Sequence, residues 1–229
     1  MKEISMTETE YKIHLDNVIQ RIEDARITVS EHHIVKIIAV SKYSTEEAIR
    51  RLYAIGQRAF GENKVQDLVT KSQALEDLPL EWHFIGTLQK NKINHLIDAN
   101  PFLFQSLDSL ELAQALQKRL EVKNTQMECL LQINSANEES KSGVSAQEAK
   151  DIYTQIKESC PNIELRGLMS IGAHSDDKKI IQKSFETTYK IYEGLDGADI
   201  CSMGMSGDFE LAIKCGSNMV RLGSVMFPA

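Results

Sequence analysis

The sequence predicts an α/β fold, a single (β/α)8 TIM barrel with an extra helix in front of it. Three observations carry that reading. Eight short segments rich in apolar and β-branched residues recur, and a helical pattern follows each of the first seven, as alternating parallel strands and crossover helices require. The first segment starts at Val35 and the last at Met219, so the units recur about every 26 residues, the length of a strand–helix–turn unit that closes into a barrel after eight repeats. The chain has 229 residues, a length at which such a barrel folds as one domain, and its 42% hydrophobic and 26% charged residues are those of an ordinary globular protein. An open doubly wound sheet uses the same units with fewer strands and is the alternative.

Residues 1–30 are expected to hold the leading helix, over about Thr7 to Arg26, with an imperfect apolar stripe of Ile13, Val18, Ile19 and Ile22. The barrel is expected over 35–227, in one domain spanning 1–229. Val35–Val40 is a nearly continuous apolar run, the pattern of a parallel strand buried on both faces. Ser44-Thr45-Glu46-Glu47 reads as a capping box before a helix with Ile49, Leu52 and Tyr53. Arg58–Phe60 is a second, brief strand, followed by a helix to about Ala74. Glu81–Ile85 is the third strand and leads through Gly86 to a helix with Ile93, Leu96 and Ile97. Phe102–Ser106 is the fourth, with Asp108 and Glu111 capping the helix that carries Leu112, Leu116 and Leu120. Met127–Ile133 is the fifth, and Ser145 with Glu148 opens its helix. Ile163–Met169 is the sixth, before a long helix with Ile181, Phe185 and Tyr189. Ala198–Met203 is the seventh, before Met205-Ser206-Gly207-Asp208 opens a helix, and Met219–Leu222 is the eighth.

Composition removes several partner classes. With 33 acidic against 26 basic residues the net charge is −7, and no basic run stands out, so nucleic acid and anionic membrane surfaces are not expected partners. Cys129, Cys160, Cys201 and Cys215 show no C-x-x-C spacing, and no metal site is expected. The amino terminus lacks the apolar region of a signal peptide, and no apolar run approaches the roughly 18 residues of a membrane span. A cytoplasmic, monomeric protein with reduced thiols is expected.

In a parallel barrel the active site lies at the carboxyl ends of the strands. Lys42 directly follows the first strand, where partial desolvation would disfavour its ammonium and leave an amine able to attack an aldehyde or ketone. Gly204-Met205-Ser206-Gly207 after the seventh strand and Arg221-Leu222-Gly223-Ser224 at the eighth offer backbone amides, hydroxyls and a guanidinium where barrels often bind phosphate. An aldehyde-capturing lysine opposite a phosphate cradle suits pyridoxal phosphate, and equally a class I aldolase acting on a phosphorylated sugar.

These residues also resemble a known family. Ala39-Val40-Ser41-Lys42 is similar to the lysine segment of the YggS/PROSC family of pyridoxal-phosphate-binding proteins. The similarity continues through Phe60–Asn63, Trp82–Gly86 with Leu88-Gln89 and Asn91-Lys92, Gln132–Asn134, Ser140–Gly143, Arg166–Met169, Ser202–Ser206 with Asp208 and Glu210, and Val220–Gly223. It covers about residues 35–227. The resemblance implies a barrel of the alanine-racemase N-terminal-domain type, with pyridoxal 5'-phosphate held as a Schiff base on Lys42. It implies that Ser206, Arg221, Gly223 and Ser224 surround the phosphate, and that Asn63, His83, Ser202 and Met205 neighbour the cofactor. It also implies a role in vitamin B6 and amino-acid homeostasis, without firmly established catalytic activity, so that amino acids and apo-enzymes accepting the cofactor are candidate partners. Thr87 stands where the family has proline, Ser224 replaces its commoner threonine, and the chain stops at Phe227-Pro228-Ala229.

The alternative is a racemase or related amino-acid enzyme using the same cofactor. A two-base racemisation needs acid/base groups on both faces of the cofactor. Alanine racemases draw the second base from another domain or subunit, whereas the barrel here leaves only about five residues after Ser224. Tyr43 and His83 are the best candidates inside the barrel, and each has an ordinary structural reading. The carrier is therefore the expected function.

Overall fold

A strand buried on both faces must find parallel neighbours on both edges, and that requirement organises the molecule. In the computed structural model, residues 7–138 and 141–227 are described. Strand β1 (Lys36–Val40) pairs in parallel with β2 (Ala59–Glu62) on one side and β9 (Met219–Leu222) on the other. From β2 the sheet runs through β3 (Glu81–Phe84) and β4 (Leu103–Leu107) to β5 (Met127–Asn134). From β9 it runs through β8 (Ile200–Ser202) and β7 (Ile163–Ser170) to the same β5, so eight parallel strands close on themselves. The barrel predicted from the repeat length is present. A two-residue strand, β6 (Val144–Ser145), pairs in parallel with the end of β5 and has no counterpart among the eight predicted segments.

Strand alternation separates two apolar layers. Inward-facing Ile38, Ala59, Leu103, Leu130, Met169 and Met219 meet in one buried cluster inside the barrel. Outward-facing Ala39, Phe60, Phe84, Phe104, Leu131 and Val220 pack against the surrounding helices in a larger one. These helices are α2 (Glu46–Ala54), α3 (Val65–Ala74), α4 (Ile93–Ala99, entered by a 3-10 turn at Lys90–Lys92), α5 (Leu110–Lys123), α6 (Ala149–Ser159), α7 (Lys178–Glu193) and α8 (Phe209–Lys214).

The leading helix α1 (Glu8–Arg26) starts with a capping box in which Thr7 and Glu10 bond each other's backbone N–H. It packs beside α8 and α2 and so completes a ring of eight helices among the described residues. Its buried stripe is Tyr11, Leu15, Val18, Ile22 and Ala25, whereas Ile13 and Ile19 of the predicted stripe are exposed. The helix is turned by what it must cover, and each large apolar side chain it buries stabilises the docked state by roughly 1.5–3 kcal/mol. Arg21 fixes its angle, bonding Glu210 of α8 at 2.7 Å and lying 4.5 Å over the Phe209 ring.

Two caps lie one residue later than predicted. Thr45, rather than Ser44, accepts from the N–H of Ala48, and Ser109, rather than Asp108, accepts from that of Leu112. In both places two adjacent polar residues compete, and the one with extended backbone directly before the first helical turn takes the role. No helix among the described residues is long and apolar enough to cross a membrane, and none of their His, Cys, Asp and Glu side chains group as metal ligands.

Candidate functional site

The carboxyl ends of the strands surround one cavity of about 1510 Å³. Its walls include the inward-facing Val40, Ile85, Gln132 and Met169, with Ile133 at the end of β5, and its rim comes from the loops that follow the strands. Gly86 is required where the loop after β3 passes the loop after β2: a Cβ there would lie 1.9 Å from the Asn63 carbonyl oxygen. Tyr11 reaches the cavity from α1, so the added helix helps to build the site.

Lys42 stands on this cavity in a turn that is held from behind. Ser41 N–H donates to the Gly61 carbonyl, continuing the ladder, and Ser44 N–H closes the turn onto the Ser41 carbonyl at 2.8 Å. The Lys71 ammonium from α3 donates to the same carbonyl at 2.6 Å and to Glu62 Oε1 at 2.7 Å. Ser41 Oγ donates to that carboxylate oxygen at 2.7 Å. Glu62 is fully buried, and its second oxygen has no partner. The lysine amine itself is not desolvated, contrary to the sequence reading. Lys42 is exposed, with Nζ 4.9 Å from the centre of the Tyr43 ring, and Tyr43 is 89% exposed. The strand end is buried, but the turn that follows lifts the side chain to the open mouth.

The anion-binding groups expected opposite Lys42 are assembled by two loops. Gly204 (φ +94°) turns the chain after β8 against Ala212, 2.7 Å from where a Cβ would stand. Ser206 Oγ accepts from Gly223 N–H at 3.1 Å, which ties this loop to the one after β9, and Ser224 lies beside them on the cavity wall. The helix start contributes less than predicted. α8 has six residues, and Asp208 occupies its amino end, where Oδ1 accepts from Met205 N–H at 2.6 Å. Burial pushes the Asp208 carboxyl above its usual range.

Arg221 supplies the charge. It projects inward from β9 and is almost wholly buried, yet it reaches the cavity wall. Among the described residues no carboxylate bonds it: its guanidinium donates to Ser202 O (2.9 Å), Ser202 Oγ (2.6 Å) and Ser170 O (2.8 Å). Burial pushes the guanidinium down to about 10, which leaves it cationic at neutral pH.

Of the predicted site residues, Lys42, Asn63, Met205, Ser206, Arg221, Gly223 and Ser224 line the cavity. His83 and Ser202 do not; both are fully buried beneath it, linked through Gln105. Burial pushes the His83 imidazole down, and with neither ring atom on the cavity it is not placed to act there as a base. Thr87, in the family's proline position, and Gln132 and Lys141 also line the cavity. Glu62 is a strand-end candidate from the sequence, but it is buried behind the Lys42 turn and does not line the cavity; Gln105 and Lys71 are not legible as site residues in the sequence. The only local signal for Gln105 is an amide at an inward position of an otherwise apolar strand; for Lys71 there is none. Ser140, within the segment resembling the family, lies outside the described residues, as do Pro228 and Ala229.

Residues 13–229 match the family model described as alanine racemase, N-terminal domain. A pyridoxal phosphate homeostasis protein of Helicobacter pylori is 56% identical over 218 residues, which are 95% of this chain and 98% of that protein. The solved structure of PipY from Synechococcus elongatus with PLP bound matches at 30% identity with a TM-score of 0.76, over 90% of this chain and 99% of that one. An alanine racemase of Clostridium difficile has a TM-score of 0.72 over 94% of this chain and 58% of its own; at 17% identity this is a likeness of fold.

Proposed function

The chain belongs to the family of pyridoxal phosphate homeostasis proteins, built on the alanine racemase N-terminal domain, and from that premise we propose that it holds pyridoxal 5'-phosphate covalently on Lys42 and buffers or delivers it inside the cell. One observation carries the reading. A free amine and an anion-binding pair of loops face the same cavity, with a buried guanidinium bonded only to neutral oxygens among the described residues on its wall. This donor set fits the cofactor: Lys42 for the aldehyde, Ser206, Gly223 and Ser224 for the phosphate, and Val40, Ile85 and Met169 for the flat ring. When bound, the group supplies an aldehyde that condenses with a primary amine with loss of water.

The protein's own residues bind and orient. The turn fixed by Lys71 and Ser44 brings the Lys42 amine to the mouth, where a competing amine from solvent can also arrive. Arg221 favours an anionic ligand throughout the neutral pH range because it stays cationic and its direct bonds go to neutral oxygens, with Asp208 acting on it only through space. Asn63 and Met205 are wall residues, and His83 and Ser202 act through Arg221 rather than by contact. The cavity exceeds the roughly 300–1,000 Å³ of ordinary small-molecule sites, so an amino acid fits beside the cofactor. We read the protein as one cytoplasmic, monomeric barrel domain whose partners are the cofactor, amino acids and apo-enzymes that accept the cofactor.

The test is the visible spectrum of the purified protein with added pyridoxal phosphate, before and after borohydride. Reduction is expected to leave the cofactor on the peptide containing Lys42, and Lys42→Ala to abolish that label. A wild-type protein that takes up no cofactor, or a Lys42→Ala protein that is still labelled, overturns the assignment. Sustained conversion of any single L-amino acid to its D-isomer or keto acid would replace the carrier with an enzyme.

A further inference from the structure

We propose that Gln105 is a positioning residue for the cavity cation, setting the Arg221 guanidinium through Ser202 and, by the same hydrogen bonds, holding His83 with its proton on Nε2. The argument rests on the direction of each bond. A guanidinium only donates, so Ser202 Oγ accepts from Arg221 at 2.6 Å and must send its single proton elsewhere. Its neighbour is Gln105 Oε1 at 2.7 Å, an acceptor only. That fixes the amide: Gln105 Nε2 then points to His83 Nδ1 at 3.0 Å and to Met219 Sδ at 3.3 Å. Since Nε2 donates, His83 Nδ1 must be bare and the ring proton sits on Nε2.

The far end agrees. His83 Nε2 has no hydrogen-bond partner, and Glu81 Oε2, itself bonded to the Lys36 ammonium, lies 3.9 Å away at the opposite end of the barrel from the cavity. His83, Gln105 and Ser202 are each fully buried and Arg221 nearly so, so no solvent competes for these bonds. Gln105 touches neither the cavity nor its mouth, and its effect on a ligand passes through Ser202. A reversed amide would set its NH2 against the Ser202 hydroxyl, which would then have to accept from both Gln105 and Arg221 with its own proton unpaired. The single-sense chain is the arrangement that satisfies every member except His83 Nε2.

The effect on ligand hold rests on the cofactor reading, whereas the tautomer does not, and the experiment separates them. In ligand-free wild-type protein, long-range nitrogen–proton correlation spectra are expected to show His83 with a bare Nδ1 and a protonated Nε2; a protonated Nδ1 overturns the network. Two near-isosteric variants then test positioning. Gln105→Glu keeps an acceptor for Ser202 but cannot donate to His83, so Nδ1 is expected to gain a proton, and a bare Nδ1 in that variant overturns the direction of the bond. Gln105→Met removes both ends, and uptake is expected to weaken on the order of tenfold. Thermal melts of the ligand-free variants show that each is folded. Uptake by Gln105→Met equal to wild type overturns the positioning role. A wild-type protein that binds no cofactor removes the ligand part and leaves the tautomer result to stand or fall alone.

Discussion

Replacing Lys71 by methionine tests how the turn carrying Lys42 is held. The lysine side chain is 13% exposed and its partner Glu62 is fully buried, so the substitution strands a carboxylate in the interior. One Glu62 oxygen already lacks a partner, and the other would keep only the Ser41 hydroxyl. Breaking a buried pair from one side costs about 3–5 kcal/mol, because the remaining charge stays desolvated. For a chain of this size each kcal/mol lowers the melting temperature by roughly 2–4 °C, so a fall of about 10 °C is expected. Removing the carboxylate as well, in Glu62→Leu with Lys71→Met, should recover most of that loss, since well-packed apolar replacements of buried pairs are often neutral. Neither variant restores the bond from Lys71 to the Ser41 carbonyl, so borohydride labelling at Lys42 should remain below wild type in the stable double variant. The assay is thermal and urea unfolding of the three proteins, followed by labelling. A Lys71→Met protein within about 1 kcal/mol of wild type, or a double variant no more stable than the single one, would refute the reasoning.

Two further outcomes follow from the geometry. The His83 ring and the Lys36 ammonium hold the Glu81 carboxyl down at about 2, against an ordinary 4.5. A depressed carboxylate adds stability that is complete above the unfolded value and is lost as pH falls, so wild type should lose stability between pH 4.5 and 2 and Glu81→Gln should lose less over that window in acid-unfolding curves. Ser206→Ala removes the acceptor of Gly223 N–H and the link between the two loops; cofactor titration should show uptake weakened by about two- to tenfold, for one hydrogen bond of roughly 0.5–1.5 kcal/mol, and unchanged uptake would remove Ser206 from the anion site.

The repeat of strand and helix was readable because burial on both faces forces long apolar runs, and crossover length forces their spacing; both are local in sequence. The same logic placed Lys42, Ser206, Arg221, Gly223 and Ser224 at strand ends and therefore on one cavity. Local patterns also misplaced what depends on a neighbour. Ile13 and Ile19 look apolar enough to face the core of α1, but the helix turns Tyr11 and Leu15 inward because α8 and α2 set the surface it must cover. Lys42 follows a buried strand, yet its turn carries the amine outward over Tyr43.

By itself, then, the sequence determined the barrel, the order of its elements and the strand ends where a ligand must sit, since each follows from the period of burial along the chain. The tertiary structure decided which polar groups inside the barrel meet. Gln105 and Ser202 are 97 residues apart, and Lys71 and Ser41 are 30 apart. Their contacts exist only once the closed ring sets the register of β3, β4, β8 and β9 and docks α3 behind β1. A hydrogen bond is satisfied by the atom that closure brings within 3 Å, and nothing in the order of residues along the chain specifies that atom.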